Sequence, residues 1–497
     1  MRKWVVWLLL ALIIMVAAVL RWTGLDWDGY YHFHPDERYI HWVATTIEWP
    51  DDWTTAFSPA ESTINPYYWP PNAESKGIVV EQDQPRKFAY GHLPLYVGVA
   101  ATKLAGWLGE TAVVNLFPAD WLFITDILNR AGRVEFRHLA AVTRALTGLI
   151  DLGTILFVFL LGRRMFSAEV GLLAAAFLAL NVMHIQLAHF FIVDPYLTFF
   201  TVAALYFMVA GWQRGKVAKE QGGKVAGLQS DQSPWNPATL QPCNPATLHF
   251  ILAAVFVGLA VGAKFSAVLL FLPLALTAWL RFGGKWMRWW GTAVAIAFFT
   301  FFITNPFAVL DWSCEVITPE TAVGPITIPR LDWASCYLDN ISRQSVMVNG
   351  GGDIPFTRQY EGTIPYLYYI EMQFRWGMGP LLALLGFAGF GWAIVKFIKG
   401  LKIKELVLSV PKDWQFWHWL DAQSFDRVKT SSSIFNLQSL VLLSWMIPFF
   451  LVTGSFYVKF MRYLQPLVPF LMLYGAAMVL SWRRLWWRRV VWGVVLG

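Results

Sequence analysis

Charge is scarce in this chain. Of its 497 residues only 14% are Asp, Glu, Lys or Arg while 57% are hydrophobic, a balance that excludes an ordinary soluble domain. Cysteine is scarcer still, at three, which excludes a small disulfide-built scaffold. Internal duplication is absent apart from an NPATL unit written twice, at 236–240 and 244–248, and two copies make no repeat fold. Tight metal-ligand spacing is missing as well. His32, His34 and His41 invite a metal reading with Asp36, but His184 and His189 are five apart and share no helical face.

What remains is apolar and aromatic, with 28 Trp and 38 Phe. Runs near twenty apolar residues recur along the chain, and at about 1.5 Å per residue each can cross a hydrocarbon core of roughly 30 Å. They predict a polytopic, all-α integral membrane protein. The expected spans are 4–20, 139–162, 168–186, 196–212, 248–263, 266–281, 289–306, 379–398, 434–453 and 463–481. A further helix is expected from Val490, with too few residues left to cross. The net charge of +7 sits in short basic clusters at the ends of apolar runs, so it reads as membrane topology and not as a nucleic-acid surface.

The first run follows Arg2 and Lys3, and the bulky Arg21-Trp22-Thr23 after it offers no cleavage site. It reads as a signal anchor. Between residues 21 and 90 acidic residues outnumber basic ones by 11 to 5, as suits an external loop. The short run Leu93–Leu108 holds Lys103 and is assigned to an interfacial helix on the outer surface. With that choice the basic clusters at 163–164, 213–247, 281–288, 396–433 and 483–489 all fall inside. The predicted organisation is then a 1–212 transmembrane module with an external loop at 21–138. A cytoplasmic low-complexity linker follows at 213–247, and a 248–497 transmembrane module with an external loop at 307–378 completes the chain. Cys314 and Cys336 share that second loop, where a disulfide and two buried thiols are both open readings; Cys243 falls in the linker.

Under this topology the polar residues at outer helix ends match in kind. Asp36 and Glu37 follow the first helix in "HFHPDERYI"; His92 opens the interfacial helix in "YGHLPLY"; Asp194 lies in "AHFFIVDPYLTFF". Lys264 stands in "GLAVGAKFSAVLLFLPL", and Lys459, Arg462 and Tyr463 in "SFYVKFMRYLQPLVP". Carboxylates and cations at one membrane level are what an inverting glycosyl transfer from a lipid phosphate needs. An Asp takes the acceptor's proton, and Lys and Arg hold the departing phosphate's charge.

"HPDERYI" resembles the Asp-Glu motif in the first external loop of the C-type glycosyltransferase fold. The resemblance is specifically to family 39, which contains protein O-mannosyltransferases and the transferases that put aminoarabinose on lipid A. "HLPLYVGVAATKLAGWLG" is similar to the family's Pro-Pro-Leu interfacial helix, with Leu93 where the first Pro is usual. The stretch "RALTGLIDLGTILFVFLLGRRMFSAEVGLLAAAFLALNVMHIQLAHFFIVDPYLTFF" resembles its second and third spans. "GAKFSAVLLFLPL" and "KFMRYLQPLVPFL" resemble its later lysine-bearing and Arg-Tyr-Pro segments. The likeness runs with gaps from residue 4 to 481.

The resemblance implies the C-type fold with about 10–12 transmembrane helices and an external first loop carrying interfacial helices. It implies a polyprenyl-phosphate-linked sugar as donor and an acceptor lipid, glycan or protein. Asp36 would be the general base, Glu37 would orient acceptor or sugar, and Asp194 would support the site. His92, Lys264, Lys459 and Arg462, with Arg38, would handle the donor phosphate, and Tyr39, Tyr463 and His189 would contact substrate. No cofactor is certain, although some relatives hold a divalent metal near this site. The 307–378 loop is too short for the repeat domain of protein mannosyltransferases, which argues against protein mannosylation.

Each residue also has a plainer role. Pro35-Asp36-Glu37 makes a good first helical turn, Asp194 a helix cap, and Lys264 an interface-seeking lysine. The rival class is a flippase or exporter of polyprenyl-linked sugars, whose charges would lie near the membrane midplane in two related halves. The expected setting is a bacterial plasma membrane with the site facing outside.

Overall fold

A computed structural model describes residues 2–70, 72–75, 85–109, 136–226, 245–318, 321–323, 326–328, 331–352, 354–400 and 436–496. The expected linker between 227 and 244, with Cys243, and the Lys-rich stretch 401–433 lie outside these residues. So does the part of the first loop at 110–135.

Helix α1 (Lys3–Trp22) crosses first. After a loop, α2 (Pro35–Ala44) opens with Pro35 at its first position and Asp36 and Glu37 in its first turn, where the fixed φ of proline and the positive helix end favour them. Then come α3 (His92–Gly109), α4 (Phe136–Met165), α5 (Ala168–Ala179), α6 (Val182–Ala188) and α7 (Val193–Ala226). The second module holds α8 (Pro245–Ala263), α9 (Phe271–Phe282), α10 (Trp286–Thr304), α11 (Cys336–Val348), α12 (Gly379–Gly400), α13 (Asn436–Gly454) and α14 (Val468–Leu496).

Among the described residues six stretches are long and apolar enough to cross a membrane, seven if the bent pair α5–α6 is one span. One of the six, Phe265–Thr304, folds back on itself. Gly283 at φ +56° ends α9, a conformation natural only to glycine, and α10 packs back along α9. Counting both arms and the shorter apolar helices α8 and α13, the chain is the polytopic helical membrane protein that its apolar runs predict. The pairs α7–α8, α12–α14, α4–α5 and α5–α14 form the core of the bundle. Small residues let the backbones meet: a side chain at Gly389 would lie 2.4 Å from the Gly475 nitrogen.

Several elements depart from the expected ones. The single span foreseen at 168–186 bends by 60° between α5 and α6, where Asn181 caps α6 by accepting the His184 N–H. Helix α7 continues to Ala226, into the segment assigned to a linker. No second helix begins at Val490, because α14 is continuous through Leu496. Arg21, placed by its charge in the external loop, is fully buried in the last turn of α1. It pairs with Asp151 at 2.8 Å and donates to the Ala179 and Leu178 carbonyls at 2.6 and 3.1 Å. It thereby gives the carbonyls at the end of α5 side-chain donors, and His184 Nδ1 completes the group 2.7 Å from Asp151.

The second loop is small and mixed. Strand β1 (Glu315–Thr318) pairs antiparallel with β4 (Leu331–Ala334), and β2 (Thr321–Val323) with β3 (Ile326–Ile328). Cys314 and Cys336 flank β1 and β4 and are disulfide-bonded.

Candidate active site

Two charged groups lie next to each other at the end of the bundle where α2 and α7 begin and α8 ends. The first is closed. Arg144 of α4, fully buried, grips Glu37 with Nε and Nη2 at 2.8 and 2.6 Å. It also grips Asp28 with Nη1 and Nη2 at 2.8 and 2.9 Å and donates to the Leu25 carbonyl at 2.7 Å. Glu37 accepts the Phe191 N–H as well, at 2.9 Å. Burial alone would raise the Asp28 carboxyl, but Arg144 and the Tyr30 and Phe33 amides outweigh it and hold Asp28 at about 2. The turn feeding this clamp is strained, with Tyr30 and His32 at φ +60° and +56°. The clamp ties the first loop to α4 and to the start of α7, and so fixes where α2 begins.

The second group is partly open. Asp36 faces away from its neighbour Glu37 and pairs with Arg462 Nη2 at 2.7 Å, with both side chains about a fifth exposed. Arg462 Nη1 also donates to His34 Nε2 at 3.0 Å. Because a guanidinium only donates, His34 presents a lone pair and is neutral, with its proton on Nδ1. Burial, then the Arg462 charge, push His34 down to about 4. Asp194, almost fully buried in the first turn of α7, accepts from Lys264 Nζ at 2.7 Å and lies 3.8 Å from Arg462 Nε. Lys264 also stands 4.7 Å over the Tyr463 ring, and burial, then the Asp36 charge, push the Tyr90 hydroxyl up.

Backbone packing brings these helix ends together. A side chain at Gly91 would lie 2.1 Å from the Gly262 carbonyl oxygen, so the start of α3 can touch the end of α8 only without one. Lys264 follows directly, capping a 3-10 turn (Phe265–Leu270). Arg462 and Tyr463 lie in another such turn (Met461–Leu467) that leads into α14 and packs on α7.

Of the predicted residues, the structure thus joins Asp36, Asp194, Lys264, Arg462 and Tyr463. Glu37 is committed to Arg144. Arg38 is exposed, and with Pro35, Tyr39, Trp42 and Phe136 it lines a cleft of about 390 Å³ beside the start of α2. Tyr39 is tied through its hydroxyl to the Lys87 carbonyl.

Three others share no hydrogen bond or ion pair with the charged cluster among the described residues. His92 is fully buried, bonded through Nε2 to the Tyr67 hydroxyl at 2.8 Å and through its N–H to Asn305 at 2.7 Å. Its ring packs among Phe88, Tyr96 and Tyr337. The ring nitrogens of His189 face the Ile185 and Thr23 carbonyls at 2.7 and 2.9 Å. Lys459 is 3% exposed and donates to the Tyr457 carbonyl at 3.0 Å. It makes no ion pair among the described residues.

Arg144, Asp28 and Tyr90 carry no role in the sequence reading, and His34 enters it only among the histidines of a metal reading. Arg144 had a signal: it and Asp151 are charges inside an expected span, seven residues apart on one helix face, and intramembrane charges call for partners. For a metal the residues fit poorly. No three His, Cys, Asp or Glu side chains converge among the described residues, and Asp36 and Asp194 are each already held by a cation.

Comparison with known proteins bears on this arrangement. Residues 102–228 match the family model described as dolichyl-phosphate-mannose-protein mannosyltransferase. No curated protein matches the chain. Among solved structures, the Archaeoglobus fulgidus oligosaccharyltransferase in its apo form superposes with a TM-score of 0.50 at 13% identity, over 99% of this chain and 52% of that one. The same enzyme in complex with Zn and sulfate gives 0.50 at 14% identity, over 98% and 51%. ArnT from Cupriavidus metallidurans, bound to undecaprenyl phosphate, gives 0.44 at 14%, over 94% and 59%. The chain spans about half the length of the archaeal structures it matches. It has the C-type glycosyltransferase fold, and within that fold residues 102–228 carry the match to the mannosyltransferase family.

Proposed function

We propose that the protein is a membrane glycosyltransferase that moves a sugar from a polyprenyl-phosphate carrier to an acceptor hydroxyl on the non-cytoplasmic face, with inversion. The observation that carries this reading is the partly open cluster of Asp36, Asp194, Lys264 and Arg462 at one end of the bundle. Asp36 is the general base: it is about a fifth exposed, whereas Glu37 and Asp194 are buried. Asp194 holds Lys264 in place, and Glu37, locked on Arg144, sets the start of α2 and so the position of Asp36.

The leaving phosphate needs cations. Arg462 and Lys264 supply them, and Lys459 is suited to the same task, since a buried ammonium with no carboxylate partner is stabilised by an incoming anion. Arg38 extends the basic surface along the cleft. In the transfer, the acceptor O–H proton passes to Asp36 while its oxygen bonds to the anomeric carbon, and the anomeric carbon–oxygen bond electrons leave with the phosphate. A divalent metal is assigned no step, because the two aspartates already carry cations. Charge asymmetry supports the outer-face reading, and a disulfide at Cys314–Cys336 suits an oxidising compartment.

Membranes with and without the protein, given radiolabelled polyprenyl-phosphate hexoses and pentoses, test the reading. Label should leave one carrier and appear in an acceptor. Labelled carrier that changes leaflet without being consumed would instead make the protein a transporter. Sidedness is tested by Arg38→Cys: a membrane-impermeant thiol reagent should label it in intact cells.

A further inference from the structure

Arg462 is given two tasks by the reading above, and its contacts set their order. Its Nη2 lies 2.7 Å from Asp36 Oδ2, Nη1 donates to His34 Nε2 at 3.0 Å, and Nε is 3.8 Å from Asp194 Oδ2. The guanidinium therefore sits on the carboxylate that has to take a proton. A carboxylate oxygen that holds a guanidinium is occupied at the position where an incoming hydroxyl would bond. A phosphate is a strong competitor for the same planar fork. Neither aspartate is stranded if Arg462 turns away: Asp36 is about a fifth exposed and meets solvent, and Lys264 still holds Asp194 at 2.7 Å. His34, neutral and facing Arg462, keeps the guanidinium near without a competing charge.

We propose that Arg462 is a positioning latch for which Asp36 and the carrier phosphate compete. Without donor it holds Asp36 in an ion pair; a lipid-linked phosphate takes the guanidinium and frees the base. This rests on Asp36 being the base and Arg462 a phosphate contact. With Arg462 on the phosphate, Asp36 accepts the acceptor's proton as the new sugar–oxygen bond forms and the old bond's electrons pass to the phosphate. Asp36 then returns the proton to solvent and pairs again with Arg462, which loosens the spent carrier.

Competition of this kind makes a prediction that a purely structural ion pair does not. Neutralising Asp36 must strengthen phosphate binding. The affinity of the purified full chain for undecaprenyl phosphate, with no sugar attached, is measured in detergent for wild type, Asp36→Asn and Asp36→Ser. Both variants should bind about tenfold tighter or more, the scale of one charge-assisted hydrogen bond, and should turn over donor about 10² to 10⁴-fold more slowly. Unchanged or weaker binding in the variants overturns the latch, and if turnover is lost it leaves the base assignment standing. Tighter binding with turnover intact keeps the competition for Arg462 and removes Asp36 as base.

Discussion

Replacing Arg144 by Met removes the cation that two buried carboxylates share. Glu37 and Arg144 are fully buried and Asp28 is 5% exposed, so Arg144→Met leaves two like charges without a counter-ion and costs Glu37 its bidentate partner. Breaking a buried pair from one side costs about 3–5 kcal/mol, because the remaining charge stays desolvated. For a chain of this length that corresponds to a fall in melting temperature of roughly 5 °C. The assay is thermal unfolding in detergent, followed by intrinsic tryptophan fluorescence. A triple variant carries Asp28→Asn and Glu37→Gln together with Arg144→Met, and should recover most of the loss because no charge is left behind. If Arg144→Met melts with wild type, or the triple variant melts below the single one, the clamp does not hold the first loop.

Further outcomes follow from other parts of the structure. His32 and His34 are both pushed down from 6.5 to about 4, by burial first and then by Arg144 and Arg462 respectively. The unfolded chain therefore takes up protons that the native state refuses, so stability is full above pH 6.5 and is lost as pH falls toward 4. Melting scans between pH 7 and 4.5 should show this decline, and His32→Asn should make it shallower; an unchanged slope would contradict the assignment. Cys314 and Cys336 close a loop with a sequence separation of 22, worth about 3 kcal/mol. Non-reducing peptide mapping should recover the bonded pair, and Cys314→Ser with Cys336→Ser should lower the melting temperature. Lys264→Ala leaves Asp194, 2% exposed in its side chain, to draw in Arg462 from 3.8 Å. Donor turnover should fall about 100-fold, and a wild-type rate would remove Lys264 from the site.

How far the sequence reached depends on what each residue was paired with. Apolar length located most of the helices, since crossing a bilayer needs a run that nothing else in a chain imitates. Charge at helix ends picked out Asp36, Asp194, Lys264, Arg462 and Tyr463, which the fold joins through partners up to 428 positions apart, as with Arg462 and His34. It could not tell a solvent-facing charge from one consumed inside. Asp36 and Glu37 are adjacent, yet successive helical positions point about 100° apart, and one pairs with the partly exposed Arg462 while the other meets the buried Arg144. Arg21 was misplaced for the same reason: its partners Asp151, Leu178 and Ala179 are more than a hundred residues away. The α5–α6 bend was missed because Asn181 reads as one polar residue within an apolar run, and its role as a cap depends on the break it stabilises.

The central claim is that Asp36 takes the acceptor's proton, and the most direct measurement is single-turnover transfer by Asp36→Asn on the donor that wild type consumes, with the donor saturating. The account predicts a protein that melts with wild type, binds the carrier, and transfers sugar about 10² to 10⁴-fold more slowly, the usual worth of general-base help. Transfer at the wild-type rate would contradict it, and would make the Asp36–Arg462 pair a structural contact.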